Sequence, residues 1–107
     1  MKYAVLAQLS FSTPALRDNL DQAVSARITG KPTWGVVGFS KGIDLESNPS
    51  YGIEVRFDNQ ADMDDLYAFI KGRMDVLPVL KGEVSWHECS HDEGSPQSCQ
   101  ITESYEK

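Results

Sequence analysis

The stretch "WHECSHDEGSPQSC", residues 86–99, holds both histidines and both cysteines of the chain. On an extended strand, side chains at i, i+2 and i+4 share a face, so His87, Cys89 and His91 would point the same way. Imidazole and thiolate both suit zinc. Cys99, across the Gly-Ser-Pro turn, completes a two-histidine, two-cysteine set of the kind tetrahedral zinc accepts. Length argues against this. His87 and His91 would lie about 14 Å apart on an extended strand, at roughly 3.4 Å per residue. The spacing also matches no standard zinc signature, so metal is not the favoured reading of His87, Cys89, His91 and Cys99.

A disulfide fits the geometry better. In a hairpin centred on Gly94, Cys89 and Cys99 face each other. Directly opposed strand residues approach to about 4.5–5.5 Å, which overlaps the separation of bridged cysteines. Closing so short a loop stabilises a chain by about 3 kcal/mol in the chain-entropy model. Compartment weighs the other way, because cytoplasmic proteins keep most thiols reduced. The default reading is therefore two reduced cysteines in a hairpin without special chemistry.

Other candidates are weaker. Ser10, Ser12, His87, Glu88 and Cys89 supply nucleophiles and bases, but a catalytic group is recognised by geometry rather than by order along a chain. Asp58, Asp62, Asp64 and Asp65 lack calcium-loop spacing, and their place at a helix start is explained by the helix dipole. "GVVGFSKG" is not GxxxxGK[ST] and has no helix N-terminus beside it, so it is not read as a phosphate loop. No cofactor motif is present, and catalytic residues are not assigned.

Composition excludes more than it suggests. The 107 residues are 40% hydrophobic and 24% charged, the range of one ordinary globular domain, residues 1–107. The net charge is −6, with the ten Lys and Arg scattered along the chain, which argues against nucleic acid. No run approaches the ~20 apolar residues that span a bilayer. "MKYAVLAQLSFSTP" looks superficially like a leader, but Gln8 and Ser10 interrupt it and alternation explains it as a strand. The expectation is a soluble, cytoplasmic protein.

The elements that must position these residues follow from periodicity. Tyr3, Val5, Ala7, Leu9 and Phe11 form one face of a strand, and apolar Ala4 and Leu6 on the other face favour a central position. Thr13 and Pro14 start a helix whose stripe is Leu16, Leu20, Ala23, Val24 and Ile28, and Gly30 ends it. "TWGVVGFSKG" and "YGIEVRFD" read as a hairpin, with Glu54 and Arg56 facing out and Gly35 and Gly38 marking a bulge. Asp58 or Asn59 caps a second helix with Met63, Leu66, Tyr67, Ile70, Met74 and Leu77 inward, and Pro78 stops it. "KGEVSWHEC" and "CQITESYE" are the last two strands.

The order β-α-β-β-α-β-β predicts an α+β class. Its plan is a ferredoxin-like βαββαβ sandwich with an extra C-terminal strand, an antiparallel sheet and two helices on one face. A sheet roofed on one side has a second face to cover. This predicts a homodimer, with Trp34 and Trp86 either as interface anchors or, equally, as core tryptophans of a monomer. The absence of a motif favours a small non-catalytic binding or regulatory module that self-associates. The alternative is a small-ligand-binding protein or enzyme on the dimeric α+β-barrel plan, with a pocket between sheet and helices.

Overall fold

In the computed structural model, which describes residues 1–89 and 99–107, the chain is organised around its first strand. β1 (Tyr3–Phe11) pairs antiparallel with β3 (Pro49–Phe57) on one side and with β4 (Val79–Cys89) on the other. β2 (Gly35–Ile43) borders β3 and β5 (Cys99–Glu106) borders β4, giving one five-stranded sheet of order β2-β3-β1-β4-β5. Two helices complete the α+β fold, a ferredoxin-like arrangement with one strand added at the β4 edge.

The helix boundaries are set by local chemistry. α1 (Pro14–Thr29) starts where the Thr13 hydroxyl accepts the Leu16 N–H at 3.3 Å, with Pro14 at the first turn, where a missing N–H costs nothing. α2 (Gln60–Val76) starts at Asn59, whose side-chain oxygen accepts the Asp62 N–H at 2.9 Å. It ends at Leu77, whose N–H reaches back to the Arg73 carbonyl just before Pro78.

Both helices pack on the face formed by the odd positions of β1. Val5, Leu9 and Phe11 meet Tyr51, Val55 and Phe57 of β3 and Val84 of β4, with Leu20 and Val24 above them from α1. Met63, Leu66, Ile70 and Met74 of α2 are fully buried in the same cluster. Each such side chain contributes about 1.5–3 kcal/mol by leaving water. α1 meets the edge strand differently, through polar contacts. Lys41 lies 3.0 Å from Asp18 and 3.4 Å from Asp21, and Arg17 donates to the Gly42 carbonyl at 2.9 Å. The apolar side chains of β2 therefore gain little cover, and Phe39 stays 53% exposed.

Three irregularities adjust the sheet, one of them between β1 and β4, where Ser10 pairs with Lys81 and Phe11 with Val79. The expected bulge in β2 falls between Val36 and Gly38. The third separates Trp86↔Glu103 from His87↔Ile101, leaving Thr102 as an extra residue in β5.

Both tryptophans lie in the core of the single chain. Trp34 is 7% exposed and meets Phe57 edge-on at 5.0 Å between ring centroids. Trp86 is 9% exposed and donates its indole N–H to Glu103 at 3.3 Å. Parity explains the second placement: Trp86 pairs with Val5, on the helix side of β1, so a tryptophan there fills the core and offers little surface to a second copy. Replacement Trp34→Ala should accordingly lower unfolding free energy by about 3–5 kcal/mol in a denaturant titration, the cost of truncating a core aromatic. A loss below ~1 kcal/mol, the range of surface substitutions, would contradict the placement.

Candidate functional site

The even positions of β1 point away from the helices, and the register lines their neighbours up in rows. One row holds Arg56, Ala4, His87 and Ile101; the next holds Gly38, Glu54, Leu6, Ser85 and Ser104; the third holds Ser40, Gly52, Gln8, Glu83 and Glu106. Most of these residues are small or polar, with Leu6 and Ile101 as the apolar exceptions. Gly52 is one reason Gln8 fits. A Cβ there would stand 2.9 Å from the Ser40 hydroxyl, closer than real side chains come, and a tight 3.2 Å from the Gln8 amide nitrogen.

His87 lies in the first of these rows, on β4 between Ala4 and Ile101. Its Nε2 is 2.9 Å from the Ser85 hydroxyl, and Ser85 is only 5% exposed. Burial holds the imidazole below its usual value of 6.5; the carboxylates of Glu54 and Glu83 pull up, while the Arg56 guanidinium adds to the depression. A neutral imidazole can accept or donate a hydrogen bond, or take a proton from a bound molecule. Ser85 is too enclosed to attack a substrate and serves to orient the ring.

Leu6 borders two clefts of about 230 Å³ each. One is lined by Gln8, Glu83, Ser85, His87 and Ile101, the other by Gly38, Phe39, Ser40, Gly52 and Glu54. A wider basin of about 650 Å³ lies at the end of the sheet and includes Ser10, Asp44, Lys81, Glu83, Glu106 and Lys107. There Ser10 donates to Asp44 at 2.7 Å. That bond and the backbone N–H groups of Asn48 and Glu46 hold the Asp44 carboxyl below the usual carboxylate range. The Asp44 carboxylate is engaged by the turn before β3 and its basicity is lowered, so the pair is read as structural. Ser12 and Glu88 are exposed, and Glu88, next to His87 in the chain, belongs to the opposite face of β4.

Cys89 and Cys99 lie directly opposite each other and are joined by a disulfide. Their sulfurs are therefore not free to act as thiolate ligands, and His91 falls outside the described residues. Among the described residues no group of three or more His, Cys, Asp or Glu side chains is arranged to hold a metal ion. Arg56 stands over the bridge, its Nη1 3.5 Å from the Cys89 sulfur and 3.7 Å from the Cys99 sulfur. Its Nε donates to Glu54 at 3.0 Å, which fixes the guanidinium plane.

Sequence reasoning singled out His87 and the cysteines but missed Ser85, Gln8, Leu6 and the Glu54–Arg56 pair as their company. The available signal was parity, since Glu54 and Arg56 read as outward-facing and Leu6 lies on the same face of β1. The pocket expected between sheet and helices is replaced by packed core, and the clefts described here lie on the opposite face or at its end. The reason is volume, because Tyr51, Phe57, Met63 and Met74 fill the layer.

No family model and no curated protein matches this chain. Among solved structures, a protein from Deinococcus radiodurans described as a candidate antibiotic biosynthesis monooxygenase is similar, with a TM-score of 0.54. The match covers 87% of this chain and 97% of that one at 16% sequence identity, a likeness of fold.

The environment of His87 has a measurable consequence. Its native pKa lies below the unfolded value near 6.5, so the unfolded state binds the proton more readily. The stability carried by neutral His87 is complete above that unfolded value and is lost as pH falls through the lower native one. An NMR titration should place the His87 ring midpoint below 6.5, and His87→Gln should flatten this part of the acid-side loss of stability. A midpoint at or above 6.5 would contradict the assignment.

Proposed function

We propose that the protein binds a small molecule on the open face of its sheet, in a chamber completed by a second copy of the chain. This is the dimeric α+β-barrel plan. The observation that carries the reading is the group around Leu6, which has the His87–Ser85 pair on one side and Glu54–Arg56 on the other, on a face neither helix covers. An apolar centre ringed by a few fixed polar groups is what small-molecule sites require. The clefts are shallow when the sheet stands alone, and two sheets face to face would enclose them. The ligand class is a small, largely apolar molecule with one or two hydrogen-bonding groups. No reaction is assigned to it.

A purely associative role, without a ligand, draws support from a different feature. Val36, Val37 and Phe39 are 49%, 61% and 53% exposed along the edge strand β2, an apolar strip of the kind partners cover. It ranks second because it uses none of the polar constellation. No helix is long and apolar enough to cross a membrane among the described residues, and the proposal keeps the cytoplasmic setting expected from the sequence.

Sedimentation velocity on the wild type and on Leu6→Lys tests the proposal, with fluorescence of the apolar probe 1-anilinonaphthalene-8-sulfonate as the ligand readout. The expected result is a wild-type dimer that binds the probe saturably. Leu6→Lys should be folded, with self-association weakened about a hundredfold or more by burying an unpaired charge, and with probe binding lost. A monomeric wild type, or a Leu6→Lys dimer of unchanged affinity, would overturn the open-face arrangement. A dimer that ignores the probe would favour the associative role.

A further inference from the structure

We infer that Cys89–Cys99 is a redox-active disulfide, reduced by a small thiol with the Arg56 guanidinium stabilising the leaving thiolate. The two sulfurs differ in access. Cys89 is 3% exposed, whereas Cys99 is only partly buried and borders a small opening on the open face with Ala4, Leu6, Arg56 and His87. A small thiolate admitted to the chamber on the open face meets the Cys99 sulfur.

The step balances without another reagent. The incoming thiolate forms a bond to the Cys99 sulfur as the Cys89–Cys99 bond breaks, and the electron pair leaves on Cys89. A second small thiolate then attacks its own kind in the mixed disulfide, releasing Cys99 and a small-molecule disulfide. Two electrons pass from two thiols to the protein, and two protons end on the cysteines or in solvent.

Arg56 is placed for this step. Its Nη1 lies 3.5 Å from the Cys89 sulfur, where the negative charge appears, and 3.7 Å from Cys99. Glu54 holds the other edge of the guanidinium, and the Arg56 side chain is 13% exposed, so the cation is oriented and partly desolvated before any charge forms. A cation beside a thiol lowers its pKa, and a lower leaving-group pKa speeds exchange and favours the reduced state. A bridge serving only as a clasp has no use for a charge held against both sulfurs. In a cytoplasmic setting, disulfides that do occur are mostly of the transient kind.

The test equilibrates the protein in buffers of reduced and oxidised glutathione, quenches with N-ethylmaleimide, and counts modified cysteines by intact mass. Wild type should pass from bridged to reduced within the accessible range. Arg56→Gln should need about tenfold more reducing conditions, and Arg56→Lys should stay close to wild type. A bridge that stays oxidised at every ratio, or an Arg56→Gln midpoint equal to wild type, would overturn the inference. If Arg56→Gln does not fold, Cys99→Ser with Arg56 intact decides the matter. Thiolate absorbance should then titrate Cys89 below the ordinary value of about 8.5, and a value at or above it would overturn the inference.

Discussion

Both helices lie on the same side of the sheet, and the rest of the molecule depends on that constraint. Side chains alternate along a strand, so every residue of β1 is assigned either to the roofed side or to the open one. Val5, Leu9 and Phe11 are assigned to the core, while Leu6, Gln8 and Ser10 are assigned to the open side. The hydrophobic effect acts strongly on the first set. It leaves the second free to carry polar chemistry at little cost to folding. A slip of one residue would exchange the two sets, so the fold and the candidate site are specified by the same pairing.

The open side is held in order by its small residues as much as by its polar ones. Gly38, Gly52 and Ser40 leave room in which Gln8 and Glu54 can lie along the strands. The Glu54–Arg56 and Ser85–His87 pairs then fix one another's geometry within single strands, at i and i+2. Both pairs are partly buried, with the Arg56 side chain 13% and Ser85 5% exposed. They fix the direction in which a guanidinium and an imidazole point, which is what recognition of a ligand needs.

The architecture was legible in the sequence because local signals agreed with one another. Thr13-Pro14 and Asn59 each start a helix where capping chemistry says they should, and the alternation of β1 marked it as central. The functional face was legible only in part. His87 stood out by residue type, but its partner Ser85 is an unremarkable strand serine until the register places it under the ring. The tryptophans left two readings open for a related reason: a large aromatic residue is equally at home in a core or an interface, and burial puts both in the core of the single chain, Trp86 by side-of-sheet parity. The sheet–helix pocket failed on volume, which periodicity does not measure. The disulfide turned on whether Cys89 and Cys99 share a row, which a hairpin centred on Gly94 provides, and on the compartment, which spacing does not report.

That offset has a consequence for how the chain tolerates change in length. Thr102 is the surplus residue between two stretches of β5 that are each in register with β4. Tyr105 and Glu103 answer to the helix side, Ile101 and Cys99 to the open side, and the bulge separates their alignments. Removing Thr102 would regularise the ladder and leave Cys99 opposite Cys89 and Glu103 opposite Trp86. The same deletion inside β1 would turn half of the core outward. A change of one residue at Thr102 is therefore absorbed at the margin of the sheet, and the sulfur bridge sits on the side of the bulge that such a change leaves in place.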